Sequence, residues 1–159
     1  MSDRKFIIPE YGPFAGMRAV CAGTLLAMPF AATMLADFGV EVIQIERPGV
    51  GDTQRLLAPF AELNGKTVSA AWAQESRNKL AMTLELNLKH EEVKEIFYGL
   101  IREADIFMEN MVWMDKLGVY DEELLKVNPN EEPPPKIPIT HTTFLSGIHH
   151  RVRVSNPLY

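Results

Sequence analysis

The chain has 159 residues and 17.9 kDa, with 47% hydrophobic and 23% charged residues and a mean hydropathy of -0.06, a composition that predicts one globular domain and excludes wholesale disorder or a low-complexity polymer. The net charge of -5 and pI near 5.4, with no basic stripe, argue against nucleic-acid binding. The single cysteine, Cys21, cannot form an internal disulfide and points to a reducing, cytoplasmic setting.

The first 130 residues and the last 29 differ in kind. Five of the 11 prolines and three of the four histidines lie in residues 131–159, which carry about +1 against about -6 for the rest. Residues 19–36 form an uncharged stretch of 18, but Gly23, Thr24, Pro29 and Thr33 interrupt it, so it reads as a buried strand, a turn and a buried helix rather than a membrane span or signal.

Residues 17–22 (MRAVCA) read as a fully buried strand ending at Gly23. Pro29 suits the first turn of a helix in which Phe30, Met34, Leu35 and Phe38 recur at helical spacing, stopped by Gly39. Residues 40–45 (VEVIQI) make a second strand, so the unit is βαβ and the sheet parallel. Pro48, Gly49 and Gly51 turn residues 47–52 into a loop, a less regular run follows, and residues 74–79 are polar and exposed in expectation. Residues 80–88 (LAMTLELNL) are apolar at every second position and read as a strand. Residues 91–103 form an amphipathic helix with Val93, Ile96, Phe97, Leu100 and Ile101 on one face. Residues 104–109 are a strand, and Asp121 is expected to cap a short helix that Asn128-Pro129 ends. The alternation predicts a doubly wound α/β layer, whose ligands bind beyond the carboxyl ends of the strands, at the loops 23–27, 46–52 and 109–116.

Several chemistries fail on spacing. After Cys21 only Gly23 is present, so no G-x-G-x-x-G turn exists for a dinucleotide, and Glu46 alone is a weak ribose ligand. His141, His149 and His150 lack metal-ligand spacing and any nearby cysteine or carboxylate, so no metal is expected. Cys21 sits mid-strand and reads as a small buried hydrophobe, not a nucleophile. Arg47 with the glycines after it, and Asn110 with Lys116, are groups that can contact phosphate or a nucleotide, but taken alone an ordinary turn and a solvated cation are the favoured readings. From the residues alone, the chain is an α/β domain suited to a phosphorylated ligand.

Four segments together carry more: GPFAGMRAV at 12–20, PFAATMLADFGVEVIQIERPGVGD at 29–52, SRNKLAMTLELNLK at 76–89 and ADIFMENMVWMDKLG at 104–118. In this order and spacing they resemble the CaiB/BaiF family, the class III CoA-transferases, over residues 9–130. The ENMVW-DKLG form looks most like members acting on 2-hydroxy acids or carnitine. The resemblance implies an open, Rossmann-like parallel sheet with helices on both faces, the N-terminal part of the family's large domain, and an interlocked homodimer. It implies transfer of coenzyme A between an acyl-CoA and a free carboxylate, with no metal and no membrane or nucleic-acid partner.

It also implies contacts to coenzyme A position by position. Leu26 and Ala27 match the backbone lining the thiol arm, Arg47 the arginine near the adenosine phosphates, and Leu86 with Lys89 the pair near the adenine. Asn110 and Met111 match an Asn-aromatic pair, and Lys116 with Leu117 a basic-apolar pair before Gly118. Met111 replaces an aromatic ring, and an ammonium at 116 lacks bidentate phosphate geometry.

The family's catalytic aspartate lies beyond the matched segment, where it carries acyl and then CoA. Residues 131–136 read EEPPPK where the resemblance expects a buried strand, so residues 131–159 are expected to be irregular and out of family, and the chain a truncated piece inactive alone. Two other readings stay open: a non-enzymatic interaction module, and a free-standing nucleotide-binding domain.

Overall fold

In the computed structural model, residues 5–128 and the backbone of 139–140 are described. The run MRAVCA forms strand β1 (Arg18–Cys21), every residue of it buried. Helix α1 (Ala27–Asp37) follows, then β2 (Glu41–Glu46). A 3₁₀ turn at Thr53–Leu56 leads to a hairpin, β3 (Phe60–Leu63) and β4 (Lys66–Ser69), and to the short helix α2 (Ala70–Glu75). Then come β5 (Lys79–Thr83), α3 (Glu91–Glu103), β6 (Ile106–Glu109), α4 (Asp121–Val127) and β7 (Ile139–Thr140).

Five strands pair in the order β5-β2-β1-β6-β7, all parallel, and β3-β4 stands apart as an antiparallel pair. The fold is therefore the open α/β sheet expected, with a core layer on each face. Alternation along the strands sends Val20, Ala22, Ile45 and Phe107 to the side of α3, where Phe97 and Ile101 meet them. Ala19, Cys21, Val42, Ile106 and Met108 face α1, which presents Met28, Ala32 and Ala36. The Phe97 and Phe107 rings meet edge-on at 5.7 Å, a geometry worth about 0.5–1.5 kcal/mol beyond its buried area.

Several boundaries and faces differ from expectation. Helix α1 begins at Ala27, and three of the four residues expected on its core face are turned out: Phe30, Met34 and Phe38 are each about half exposed, while Leu35 packs against the core that Met28, Ala32 and Ala36 enter. Close approach to β1 requires that, because a helix carrying Ala32 and Thr33 at 0% exposure sits where a phenyl ring has no room. Ile96 is likewise 45% exposed at the flank of α3 rather than in its core face. The strand expected over 80–88 pairs only as far as Thr83; beyond it Leu84, Leu86 and Leu88 still alternate inward, without a ladder. Tyr120, not Asp121, is the N-cap of α4, and Asp121, Glu122 and Glu123 occupy its positive first turn.

The tail expected as irregular contributes one regular piece. Ile139–Thr140 lies parallel to β6, with Met108 opposite Ile139 and Glu109 opposite Thr140. Residues 129–138 and 141–159, with the three histidines, lie outside the described residues.

Gly39 shows why α1 stops where it does. Its φ of +102° is a left-handed conformation, and a Cβ there would run into the Tyr11 carbonyl. Tyr11 is in turn fixed to α1 by its hydroxyl, which donates to the Ala36 carbonyl.

Candidate functional site

The connections from β1 and β6 lead to opposite halves of the sheet, so a crevice opens between their carboxyl ends. A cleft of about 380 Å³ occupies it, within the roughly 300–1,000 Å³ of small-molecule sites. Its walls come from Ala22, Gly23 and Thr24 after β1, from residues 45–47 and 51–53, from Leu84 to Leu86, and from Met111, Trp113 and Leu117.

The wall after β1 is held from three directions. Asn110 accepts the Thr24 N–H at 3.0 Å through Oδ1 and donates to the Thr24 carbonyl at 2.9 Å through Nδ2, a clamp across the switch point. Asp52 Oδ1 accepts from the Leu25 N–H at 3.1 Å, the Thr24 hydroxyl at 3.2 Å and the Gln54 N–H at 2.7 Å. Gln44 Nε2 donates to the Gly23 carbonyl at 2.9 Å. Leu25, between these clamps, has a φ of +74°, a conformation costing a non-glycine residue about 1–2 kcal/mol. Gly23 is needed for contact: a Cβ there would strike Asn110 Oδ1 and the Met28 methyl.

Charge is unevenly arranged. Glu46 faces the cleft but both its oxygens hold Arg55, at 2.8 Å to Nε and 2.9 Å to Nη2, so no carboxylate edge is left there for a ribose. The side chains of Arg47, Lys89 and Lys116 have no ion-pair partner among the described residues. Arg47 lines the cleft, and its loop closes by the Gly51 N–H donating to the Arg47 carbonyl at 2.9 Å. Lys89 and Lys116 are exposed, each next in sequence to one end of the hydrogen bond between the Leu88 N–H and the Leu117 carbonyl, 2.8 Å. Leu26, the N-cap of α1, has no side chain to cap with, so the N–H groups of Ala27 and Met28 receive no side-chain cap. The cleft thus combines apolar walls with one cation, Arg47, in its lining, a combination suited to a partly apolar ligand that carries an anionic group.

Comparison with known proteins decides the lineage. A family model described as CoA-transferase family III matches residues 14–130. The chain belongs to CoA-transferase family III. It is 38% identical over 119 residues to the succinyl-CoA–L-malate CoA-transferase beta subunit of Chloroflexus aurantiacus, covering 74% of this chain and 28% of that one. Against the acetyl-CoA:oxalate CoA-transferase of Acetobacter aceti it is 35% identical over 120 residues, 74% of this chain and 29% of the relative. The crystal structure of a CAIB/BAIF family protein from Brucella suis superposes with a TM-score of 0.67 at 30% identity, over 81% of this chain and 32% of the other. The chain spans about a third or less of the length of these relatives.

Of the nine positions taken from the family pattern, the structure brings Arg47, Leu86, Met111 and Leu117 together in the cleft wall. Leu26 and Ala27 stand at the start of α1, one and two residues past the strained Leu25, and Leu26 is 51% exposed. Lys89 and Lys116 flank the cleft in sequence rather than line it. Asn110 lies beside the cleft with both of its polar atoms engaged by the Thr24 backbone.

Thr24, Asp52 and Trp113 fall within the three loops expected to hold the site but were not singled out as contacts, and Thr53 lies one residue beyond them. Only Asp52 carried a signal, as an acid one step after Gly51 that caps the following turn. Cys21 is fully buried, and burial pushes its thiol up to about 12, well away from nucleophilic chemistry. Among the described residues no three metal-ligating side chains group together, and no helix is long and apolar enough to cross a membrane.

Proposed function

We propose that this chain is the coenzyme A-binding part of a family III transferase that moves CoA between an acyl-CoA and a carboxylic acid. The observation that carries the reading is the cleft at the switch point, where Arg47, Leu86, Met111 and Leu117 converge in a chain matching the family over residues 14–130. In this reading Arg47, Lys89 and Lys116 take the phosphates, Leu86, Met111 and Leu117 pack the adenine, and the first N–H groups of α1 line the thiol arm. Asn110 positions the Thr24 wall instead of touching the nucleotide.

The acceptor is a small carboxylic acid, in our reading a 2-hydroxy acid or a carnitine-like one. Malate, itself a 2-hydroxy acid, appears in the name of one relative and oxalate in that of another. The partner expected is a second copy of the chain in an interlocked homodimer, and the setting cytoplasmic, on the strength of the lone cysteine.

In this reading no described aspartate carries the acyl group. Asp52 is the one that lines the cleft, and its Oδ1 already accepts three hydrogen bonds. The chain by itself is therefore expected to bind CoA without transferring it, and mass spectrometry after incubation with acyl-CoA should find no thioester adduct. Calorimetric titration with CoA tests the binding. Saturable one-site binding, weakened at least tenfold by Arg47→Ala, is the expected result. Heat that never saturates, or an Arg47→Ala chain that binds as well as the parent, overturns it.

A further inference from the structure

Three non-glycine residues among the described ones have a positive φ, and Leu25 is the one that is not an asparagine. Burial does not hold it there, because its side chain is 40% exposed. A residue with a side chain persists in the left-handed region only where its surroundings over-determine it, and such residues gather at ligand clamps. On one side of Leu25 the Thr24 backbone is fixed by Asn110. On the other, the Leu26 carbonyl accepts the Phe30 N–H at 2.9 Å in the first turn of α1. Leu25 is thus the joint between the cleft wall and the helix.

Asp52 holds that joint. The bond from the Leu25 N–H to Asp52 Oδ1, 3.1 Å, is the one hydrogen bond that Leu25 makes among the described residues. The same oxygen accepts the Thr24 hydroxyl at 3.2 Å and the Gln54 N–H at 2.7 Å, and the side chain lies in a residue only 5% exposed. The Asp52 backbone ends the loop that carries Arg47: its N–H donates to Glu46 Oε2 at 3.2 Å, and the Gly51 N–H before it closes on the Arg47 carbonyl. The Thr24 and Thr53 hydroxyls, 2.8 Å apart, add a second link between the same two segments. One buried carboxylate therefore ties the loop bearing the cleft's cation to the joint that sets how α1 enters.

We infer that Asp52 is a positioning residue for coenzyme A: by holding Leu25 left-handed it sets the first turn of α1 along the thiol arm. The inference rests on the coenzyme A reading above and deepens it. The three donors on Oδ1 are neutral N–H and O–H groups, so the task needs an acceptor at that point rather than a charge. The Arg47 loop closes upstream of Asp52 through the Gly51 bond, so the phosphate contact does not depend on how Leu25 turns. Loss of Asp52 is therefore felt by the pantetheine arm and not by the nucleotide.

The test is calorimetric titration of the full chain with CoA and with the phosphoadenosine diphosphate half of CoA, which lacks the pantetheine arm. Asp52→Ala should weaken CoA at least tenfold and leave the half within about threefold of the parent. Asp52→Asn, which keeps the acceptor and removes the charge, should stay within about threefold of the parent for both ligands. Leu25→Gly added to Asp52→Ala should recover at least threefold of the lost CoA affinity, because glycine enters the left-handed region without strain. Leu25→Val, at an exposed position and with Asp52 intact, should weaken CoA relative to the half, because a β-branched residue resists that region. The valine variant keeps the test in force if Asp52→Ala does not fold. Equal weakening of both ligands by Asp52→Ala, an asparagine variant as weak as the alanine one, no recovery with Leu25→Gly, or Leu25→Val binding as the parent does each overturn the inference alone. A parent chain that saturates with neither ligand overturns the coenzyme A reading, and this inference with it.

Discussion

Asn110 commits both ends of its amide to one backbone unit, Thr24, and this links β1 to β6 at the point where a ligand must enter. Asn110→Asp preserves the acceptor for the Thr24 N–H but sets an anion against the Thr24 carbonyl, so a loss of about 1–3 kcal/mol in stability is expected by urea denaturation. If the denaturation midpoint of the variant matches the parent's, the clamp contributes nothing. Cys21 is the opposite case, a reactive atom type made inert: with its thiol pushed up to about 12, a thiol reagent at neutral pH should label it only after unfolding. Labelling of the native chain at the rate of the unfolded one contradicts that burial. Asp37 shows the carboxylate sense of the same linkage. The hydrogen bond from Arg77 Nη2 at 2.6 Å, with a second from Asn78 at 2.8 Å, holds its carboxyl below the ordinary 3.8. The stabilisation is fully present above 3.8 and is lost as the pH falls through the lowered folded value. An NMR titration should find Asp37 below 3.8, and Arg77→Ala should raise it.

At the scale of elements, burial and amphipathic pattern part company in α1 and agree in α3. Phe97 is fully enclosed between α3 and the sheet, so Phe97→Ala should cost about 3–5 kcal/mol. In α1 the test is inverted: Ala32→Leu should cost about 1–3 kcal/mol by overpacking against β1, while Phe30→Ser on the exposed stripe should stay within about 0.5 kcal/mol in the monomer. Thermal or chemical denaturation of the three variants separates these outcomes, and equal losses in Ala32→Leu and Phe30→Ser would refute the assignment of faces. β1 was legible because both of its faces are buried, which leaves the short run MRAVCA apolar except at Arg18; β2 was legible from its alternation of apolar and polar residues. The face of α1 was not, because Phe30, Met34 and Phe38 dominate its periodicity, whereas the sheet-side core takes Met28, Ala32 and Ala36. The β3–β4 hairpin went unread although Asn64-Gly65, with φ of +52° and +72°, is a strong turn signal. Its strands are four residues long and β3 is wholly exposed, so no buried alternation marked them.

For the whole molecule, a chain of net charge -5 is proposed to take an anionic ligand, which works only if the cations are gathered locally. Arg47 on one side of the cleft and Lys89 and Lys116 near the other supply that gathering. The candidate site was legible from family spacing to the extent that four of its residues meet in one cleft; Thr24 and Trp113 lie in loops expected to hold the site, but only folding shows that their side chains reach it. The two-residue strand β7 came from a segment whose prolines argued against any strand, because Ile139–Thr140 follow the last of them in that run, Pro138. Backbone amide shifts in an NMR titration with CoA test the central claim most directly. Gly23, Thr24, Arg47, Leu86, Met111 and Leu117 should move together with one saturation curve, while the β3–β4 hairpin stays still. Shifts concentrated on the hairpin or on the exposed face of α1, with the cleft residues unmoved, would contradict it.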